Sequence, residues 1–325
     1  MSLHSLDAAA WDAAIEQFTG EVIHAYQMSD QYGTDKCIFA AKSVGETWNY
    51  PVVENSVAVN AADGPDSSGN DIVNASNTGY QTNDDDIRTP ELTVDRPIKD
   101  IRYLPLDQLE VRPDLKLPDN YAKMLGRAVG EGKGIRLTGL LANAANDATG
   151  GIENVNTVDV TSDDDDTIGA LLKHVFNVIG GDMDLGGVPS DGRHAMLKSN
   201  WWYTLLGIDG IFTKEFGGQS NVQRPGEVIM YANFMIHNGR NGFGLNTSNT
   251  EWAARMSAET HYQYDMTALM AVVWHTEAWA LRHWKEPQVM NDWSTDYDAF
   301  KLEARLTMGA TAIQGNQGCY SIEEA

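Results

Sequence analysis

Residues 90–106 read PELTVDRPIKDIRYLPL. Leu92, Val94, Ile98 and Ile101 give this run the alternation of a half-buried strand. The chain just before it is of another kind. Residues 54–89 are rich in Asn, Asp, Ser and Gly, include NDDDI at 83–87 and hold few large apolar side chains. Before that comes CIFAAKSVGETWNYPVV (37–53), a second strand-like run with Pro51 near its end. Two strand segments bracketing a polar tip predict a long β-hairpin. Such a hairpin is marginal alone in water and cannot bury itself in one molecule, so it is expected to lie on something else.

Outward from the hairpin, residues 7–28 predict an amphipathic helix. Trp11, Ile15, Phe18, Val22 and Tyr26 recur every three or four residues and make one apolar stripe. A terminal helix of this length is stable only if the stripe finds a partner, either the chain's own core or another subunit. On the far side of the hairpin, 119–146 carries a helical pattern through Tyr121, Leu125, Val129, Leu137, Leu141 and Ala144. Gly126, Gly130, Gly132 and Gly134 weaken it by about 1 kcal/mol each relative to Ala, which predicts a kinked or curved helix held by packing. The Asp run 163–166 reads as a helix start, with Ser162 and Asp165 spaced for a capping box. RHAMLK (193–198) reads as a strand, and Ser199 as the cap of a short helix through Trp201, Trp202, Leu205 and Leu206. EVIMYANFMIHN (227–238) reads as one strand, 266–284 as one or two, and 300–313 as the final strand. The layout is α+β without internal repeats.

Composition narrows the function. The 325 residues carry 46 acidic and 23 basic side chains, a net charge of −23. This length suits two domains or one elaborated domain. The 42% apolar content supports a sizeable core and excludes wholesale disorder. No run reaches the ~18–20 apolar residues of a membrane span, and the first residues lack the features of a secretory signal. Cys37 and Cys319 are too few for a disulfide framework and fit a reducing compartment. These features predict a soluble, acidic protein made inside the cell. The acidic balance opposes tight binding of a phosphate backbone.

Signals for chemistry are weak. DMDLGGVPSDGR (182–193) superficially resembles a calcium loop, but Gly186 stands where an acid or amide is required and Arg193 where Glu is required. His275 and Glu277 have the spacing of a zinc deaminase motif without the cysteine pair that completes it. If they lie on a strand they share a face, and a local hydrogen bond explains them better than catalysis. No phosphate-cradling or nucleophile-elbow motif is present. Nine tryptophans, with Trp274, Trp279 and Trp284 close together, fit a core or an interface better than a sugar platform.

Taken in order, AAIEQFTGEVIHAYQ (13–27), PELTVDRPIKDIRYLPLDQLEVRPDL (90–115), VPSDGRHAMLKSNWWYTLL (188–206) and the stretch 266–313 resemble a major capsid protein of tailed bacteriophages, in the podovirus-like branch. The resemblance implies the Hong Kong 97-type capsid fold, an α+β fold with five parts. Residues 1–36 would be an N-terminal arm and 37–105 the extended loop. Residues 106–160 would hold the spine helix and the first part of the peripheral domain, 161–265 the axial domain, and 266–325 the closing strands of both domains. It further implies pentamers and hexamers in an icosahedral shell around double-stranded DNA, held without sequence-specific binding, and no enzymatic activity, cofactor, metal or membrane partner. A separate scaffolding protein, a portal protein and a decoration or cement protein are the implied partners. The location would be the virion, with assembly in the host cytoplasm. Contacts between subunits would fall on Phe18, Val22, Tyr26, Trp48, Tyr50, Val57, Val59, Ile87, Leu92 and Val94. Some relatives crosslink their loops through Lys and Asn, but 54–89 contains no Lys. Two rival readings are an encapsulin-type nanocompartment shell and an acidic, Trp-rich carbohydrate-binding protein or glycosidase.

Overall fold

A computed structural model describes residues 8–30, 32–39, 47–49, 52–53, 87–88, 91–105, 117–146, 154–161, 165–207, 229–240, 242–243, 260–297, 299–313 and 318–325. Among these residues the helices are α1 (Ala8–Ser29), α2 (Leu117–Ala145), α3 (Asp165–Leu185) and α4 (Ser199–Gly207). The strands before α2 are β1 (Ile38–Phe39), β2 (Thr47–Asn49), β3 (Val52–Val53), β4 (Ile87–Arg88), β5 (Glu91–Thr93) and β6 (Ile98–Pro105). Those after it are β7 (Val155–Val158), β8 (Arg193–Leu197), β9 (Ile229–Tyr231), β10 (Phe234–Asn238), β11 (Leu269–His275), β12 (Trp279–Ser294), β13 (Ala299–Ala312) and β14 (Cys319–Glu324).

Two sheets dominate. One has the order β1-β12-β13-β6, the other β7-β14-β11-β8-β10-β9. The run LMAVVWH of β11 shows why the second sheet is central. All seven residues are buried, because alternate side chains enter different cores. Ala271 and Val273 join Leu172, Phe176 and Ile179 of α3, with Phe234 and Ile236 of β10. Val272 and Trp274 point the other way, into a core with Leu137 and Leu141 of α2 and Leu306 and Met308 of β13. Helix α2 is thus packed between the two sheets' strands, and α3 covers the opposite face of the six-stranded one.

Helix α2 is unbroken from Leu117 to Ala145, and its glycines serve as close contact points. A methyl group at Gly126 would press on the Val22 carbonyl oxygen and come within 2.8 Å of the Ala25 Cβ and 2.9 Å of the Tyr26 nitrogen. The glycine lets α1 lie directly on α2. Gly126→Ala, which would favour an isolated helix, is therefore expected to destabilise the chain by about 1–3 kcal/mol through overpacking. Gly20→Ala, where nothing lies within 4 Å, should be neutral or stabilising by up to about 1 kcal/mol. Urea midpoints of the two variants test this; equal gains at both sites would contradict it.

Two expectations are corrected, and one open alternative is decided. Residues 227–238 do not form one strand: Ala232 and Asn233 take φ of 48° and 66°, and β9 turns back on β10 in an antiparallel hairpin. Positive φ at both central residues is the mark of a type I′ turn, which Asn favours and Ala hides. The stretch 266–284 holds two strands in different sheets, separated by the 3₁₀ turn Thr276–Ala278. The strand at 299–312 is not the last, since β14 follows and lies between β11 and β7. Helix α3 starts at Asp165; Ser162 and its proposed capping role lie outside the described residues.

Candidate functional site

The feature that stands out is the stem of the predicted hairpin and its two roots. β2 pairs antiparallel with β5, Thr47 opposite Thr93 and Asn49 opposite Glu91, and β3 pairs with β4, Val52 opposite Arg88. The stem therefore exists in β2 to β5, while β1 and β6, at the outer ends of the two expected runs, pair with β12 and β13 in the four-stranded sheet. The tip between residues 54 and 86 lies outside the described residues.

The returning root is bolted to the core. Gly309 of β13 leaves room for β5: a methyl group there would collide with the Thr93 carbonyl oxygen and lie 3.2 Å from the Leu92 side chain. One step on, Asp95 donates its backbone N–H to the Met308 carbonyl at 3.1 Å and accepts a short hydrogen bond from the Tyr262 hydroxyl. That hydroxyl also accepts from the Ala310 N–H at 3.1 Å, and Arg136 of α2 donates to the Arg96 carbonyl at 2.7 Å. Burial, reinforced by the Asp95 carboxylate, pushes the Tyr262 hydroxyl well above its ordinary pKa, so it stays protonated and donating.

The outgoing root is the strap that links α1 to β1. Lys133 of α2 is fully buried; its Nζ donates to Asp30 Oδ2 at 2.7 Å and to the Tyr32 carbonyl at 2.9 Å. The Tyr32 hydroxyl meets Thr138 Oγ1 at 2.7 Å. Trp274 Nε1 donates to the Lys36 carbonyl at 2.9 Å, and β1 then runs parallel to β12 with Ile38 opposite Ala280. Both roots are thus fixed by buried polar bonds to α2 and the sheets, the arrangement that holds a projecting element at a set angle.

The expected contact residues divide. Phe18, Val22 and Tyr26 are 7%, 1% and 6% exposed and belong to the core with α2. The arm's stripe thus packs on its own chain, which corrects their assignment to another subunit. Leu92 is fully buried beside Gly309, so it too is unavailable to a neighbour. Val94 is half-buried. Trp48 and Ile87 sit on the stem opposite Leu92 and Val53. Tyr50, Val57 and Val59 lie outside the described residues.

Exposed apolar side chains instead appear elsewhere. Leu171, Val178 and Leu185 are exposed at seven-residue intervals along α3, Leu185 to 89%, so this helix carries a second apolar line besides the one it buries. That spacing is legible in the sequence once the buried stripe of Leu172, Phe176 and Ile179 is subtracted. At the far end of the four-stranded sheet, the exposed rings of Tyr103 and Tyr297 stack with centroids 4.4 Å apart.

The remaining chemical signals have structural roles. His275 closes β11; its Nδ1 accepts from the backbone N–H of Glu277, and its Nε2 lies 2.9 Å from the Asp191 carbonyl. The local bond is therefore to the Glu277 backbone, and Glu277 is in the 3₁₀ turn rather than on the strand. Arg193 ties together the loop that resembled a calcium site, donating to Asp184 and to the carbonyls of Val188, Pro189 and Gly180. Cys37 and Cys319 are buried, which pushes both thiols up to about 12. Among the described residues, no three His, Cys, Asp or Glu side chains converge as a metal site, and no helix is long and apolar enough to cross a membrane.

Neither a family sequence model nor a curated protein sequence matches this chain. Solved structures do. A capsid chain of cyanophage P-SCSP1u is similar with a TM-score of 0.62 and 15% identity, over 90% of this chain and 87% of that one. A mature-capsid chain of bacteriophage PhiM1 gives 0.60 and 11% over 91% and 88%. A chain of the virus-like particle from Pyrococcus furiosus gives 0.53 and 8% over 95% and 98%. At such identities the likeness concerns the backbone, and it extends over nearly the whole length of each chain. With its mixed sheets, long central helix and rooted hairpin, this chain has the Hong Kong 97-type fold of phage capsid proteins.

Proposed function

We propose that this chain is the major capsid protein of a podovirus-like tailed bacteriophage, assembling as pentamers and hexamers into an icosahedral shell around double-stranded DNA. The observation that carries the reading is the end-to-end likeness to two phage capsid chains, without large unmatched parts on either side. The nanocompartment reading rests on the Pyrococcus particle, whose TM-score is lower than those of the two phage chains.

On this reading α1 belongs to the arm and 37–105 to the extended loop. α2 belongs to the spine and first part of the peripheral domain (106–160), α3 to the axial domain (161–265), and β11 to β14 to the closing strands of both domains (266–325). The chain acts as a building block rather than an enzyme. Its partners are copies of itself, a separate scaffolding protein, a portal protein, a decoration or cement protein and the enclosed DNA. Assembly takes place in the host cytoplasm and the end location is the virion. The net charge of −23 then acquires a use: an acidic lining repels packed phosphates and leaves the genome free to slide. A basic inner surface in the assembled shell would overturn this part.

Size exclusion with light scattering tests the reading directly. Megadalton particles are expected on co-expression with the scaffolding partner, against 35.7 kDa for a monomer. The absence of Lys from 54–89 further predicts that denatured mature particles run as a single band of monomer mass on a gel. A ladder of higher masses would show that loop crosslinking occurs.

A further inference from the structure

The strap of residues 32–39 meets histidines at both ends, His194 buried and His237 and His283 half-buried. At one end, His194 of β8 and His237 of β10 face each other with Nδ1 and Nε2 3.2 Å apart. Their rings stack, and His194 stacks in turn on Trp274 at 5.8 Å between centroids. Trp274 is one of the residues that hold the strap, through the Lys36 carbonyl and through its ring contact with Tyr32 at 5.4 Å. At the other end, Phe39 lies edge-on to His283 of β12 at 5.5 Å.

A 3.2 Å nitrogen pair accommodates one hydrogen between the two rings. Protonating both rings would set two N–H donors against each other. The titratable groups around the pair are Lys36 and Asp35 from the strap and His275 from β11; Lys133 of α2 faces His283. We propose that His194, His237 and His283 form an acid-released latch, which holds the strap at neutral pH and frees it, with the outgoing root of the hairpin, on acidification. Residues more than 40 positions apart in sequence make this latch, and it stands whether or not the chain builds a shell.

The sign follows from the surroundings. Burial first, then the Lys36 charge, lowers His194 to about 4 and His237 to about 3; burial, then Lys133, lowers His283 to about 4. A released strap returns these rings toward their ordinary value near 6.5. The closed state is therefore fully favoured above about pH 6.5 and loses ground as pH falls toward 4, because the released state binds more protons. Each histidine so shifted lowers the closed-to-released ratio by roughly 20-fold between pH 7 and pH 5.

Native-state hydrogen exchange of the full chain at pH 7, 6 and 5, with labelling times scaled for the intrinsic rate, tests the latch. Protection of 32–39 should fall at least about 100-fold from pH 7 to 5, while β11 and β13 keep theirs. In the double variant His194→Asn/His237→Gln, whose amides reproduce the facing nitrogens without titrating, the fall should shrink to the roughly 20-fold left to His283. A flat wild-type profile, an equal fall in the variant, or a fall shared by β11 and β13 would overturn the proposal. Should the variant not fold, the wild-type slope decides. Uptake of about one proton or more per strap release between pH 6 and 5 supports the latch, and a slope near zero rejects it.

Discussion

Deleting residues 57–86, so that Ser56 joins Ile87 directly, is expected to abolish shell formation while leaving the chain folded. The shortened loop keeps the pairing of Val53 with Ile87 and closes it with the three residues 54–56, a common hairpin length. Neither root is touched. Asp95, Tyr262 and Arg136 hold the returning side, and Asp30, Tyr32 and Lys133 hold the outgoing side. The thermal midpoint should therefore stay within about 3 °C of the full-length chain. On the proposed reading, what disappears is a contact repeated around a closed lattice, where weak pairwise binding becomes strong avidity. Light scattering should show the megadalton species gone. Shells assembling at normal yield would remove the hairpin from the lattice.

The second large effect lies at Asp30. Lys133 is buried without access to solvent, and Asp30 supplies the opposite charge at 2.7 Å. Asp30→Ala leaves an ammonium group in the core against the Tyr32 carbonyl and the Tyr26 ring at 5.9 Å, with no opposite charge beside it. A cost of about 3–5 kcal/mol is expected, because an uncompensated buried charge is worse than no charge at all. The same logic predicts a rescue. Asp30→Ala combined with Lys133→Met removes both charges and should recover most of the loss. Urea denaturation of the single and double variants measures both effects. A single variant within about 1 kcal/mol of the original chain, or a double variant no better than the single, would contradict the role given to the pair.

Much of this architecture is legible in the sequence because it is local. The alternation in 90–106, the polar break at 54–89 and the three- and four-residue spacing of Phe18, Val22 and Tyr26 each depend on near neighbours alone. LMAVVWH reads as strand for the same reason, and burial on both faces explains its lack of alternation. The destination of a stripe is a different matter. Phe18, Val22 and Tyr26 carry no mark that distinguishes the chain's own α2 from another subunit, and only the close approach at Gly126 decides it. Glycines that look like breaks along the helix prove to be contact points once the second helix is in place.

What the sequence hides is chemistry assembled across distance. The His194–His237 pair joins parallel strands through residues 43 positions apart. The Lys133–Asp30 pair joins residues 103 positions apart. No spacing rule links such residues. The turn at Ala232 and Asn233 is missed for a smaller reason: Ala is a poor marker of the left-handed region it occupies. β14 is missed because Ser321, Glu323 and Glu324 interrupt its apolar positions, though its first four residues are buried between β11 and β7.

The central claim is that a rooted hairpin projects from a self-contained core to knit copies of this chain into a shell. Cryo-electron microscopy of particles formed by the full-length chain with its scaffolding partner tests it most directly. The expected map shows residues 47–93 of each subunit lying across a neighbouring subunit, while α1 stays on α2 of its own chain. Particles in which the hairpin folds back on its own subunit, or a preparation that remains at the monomer's 35.7 kDa, would contradict the account.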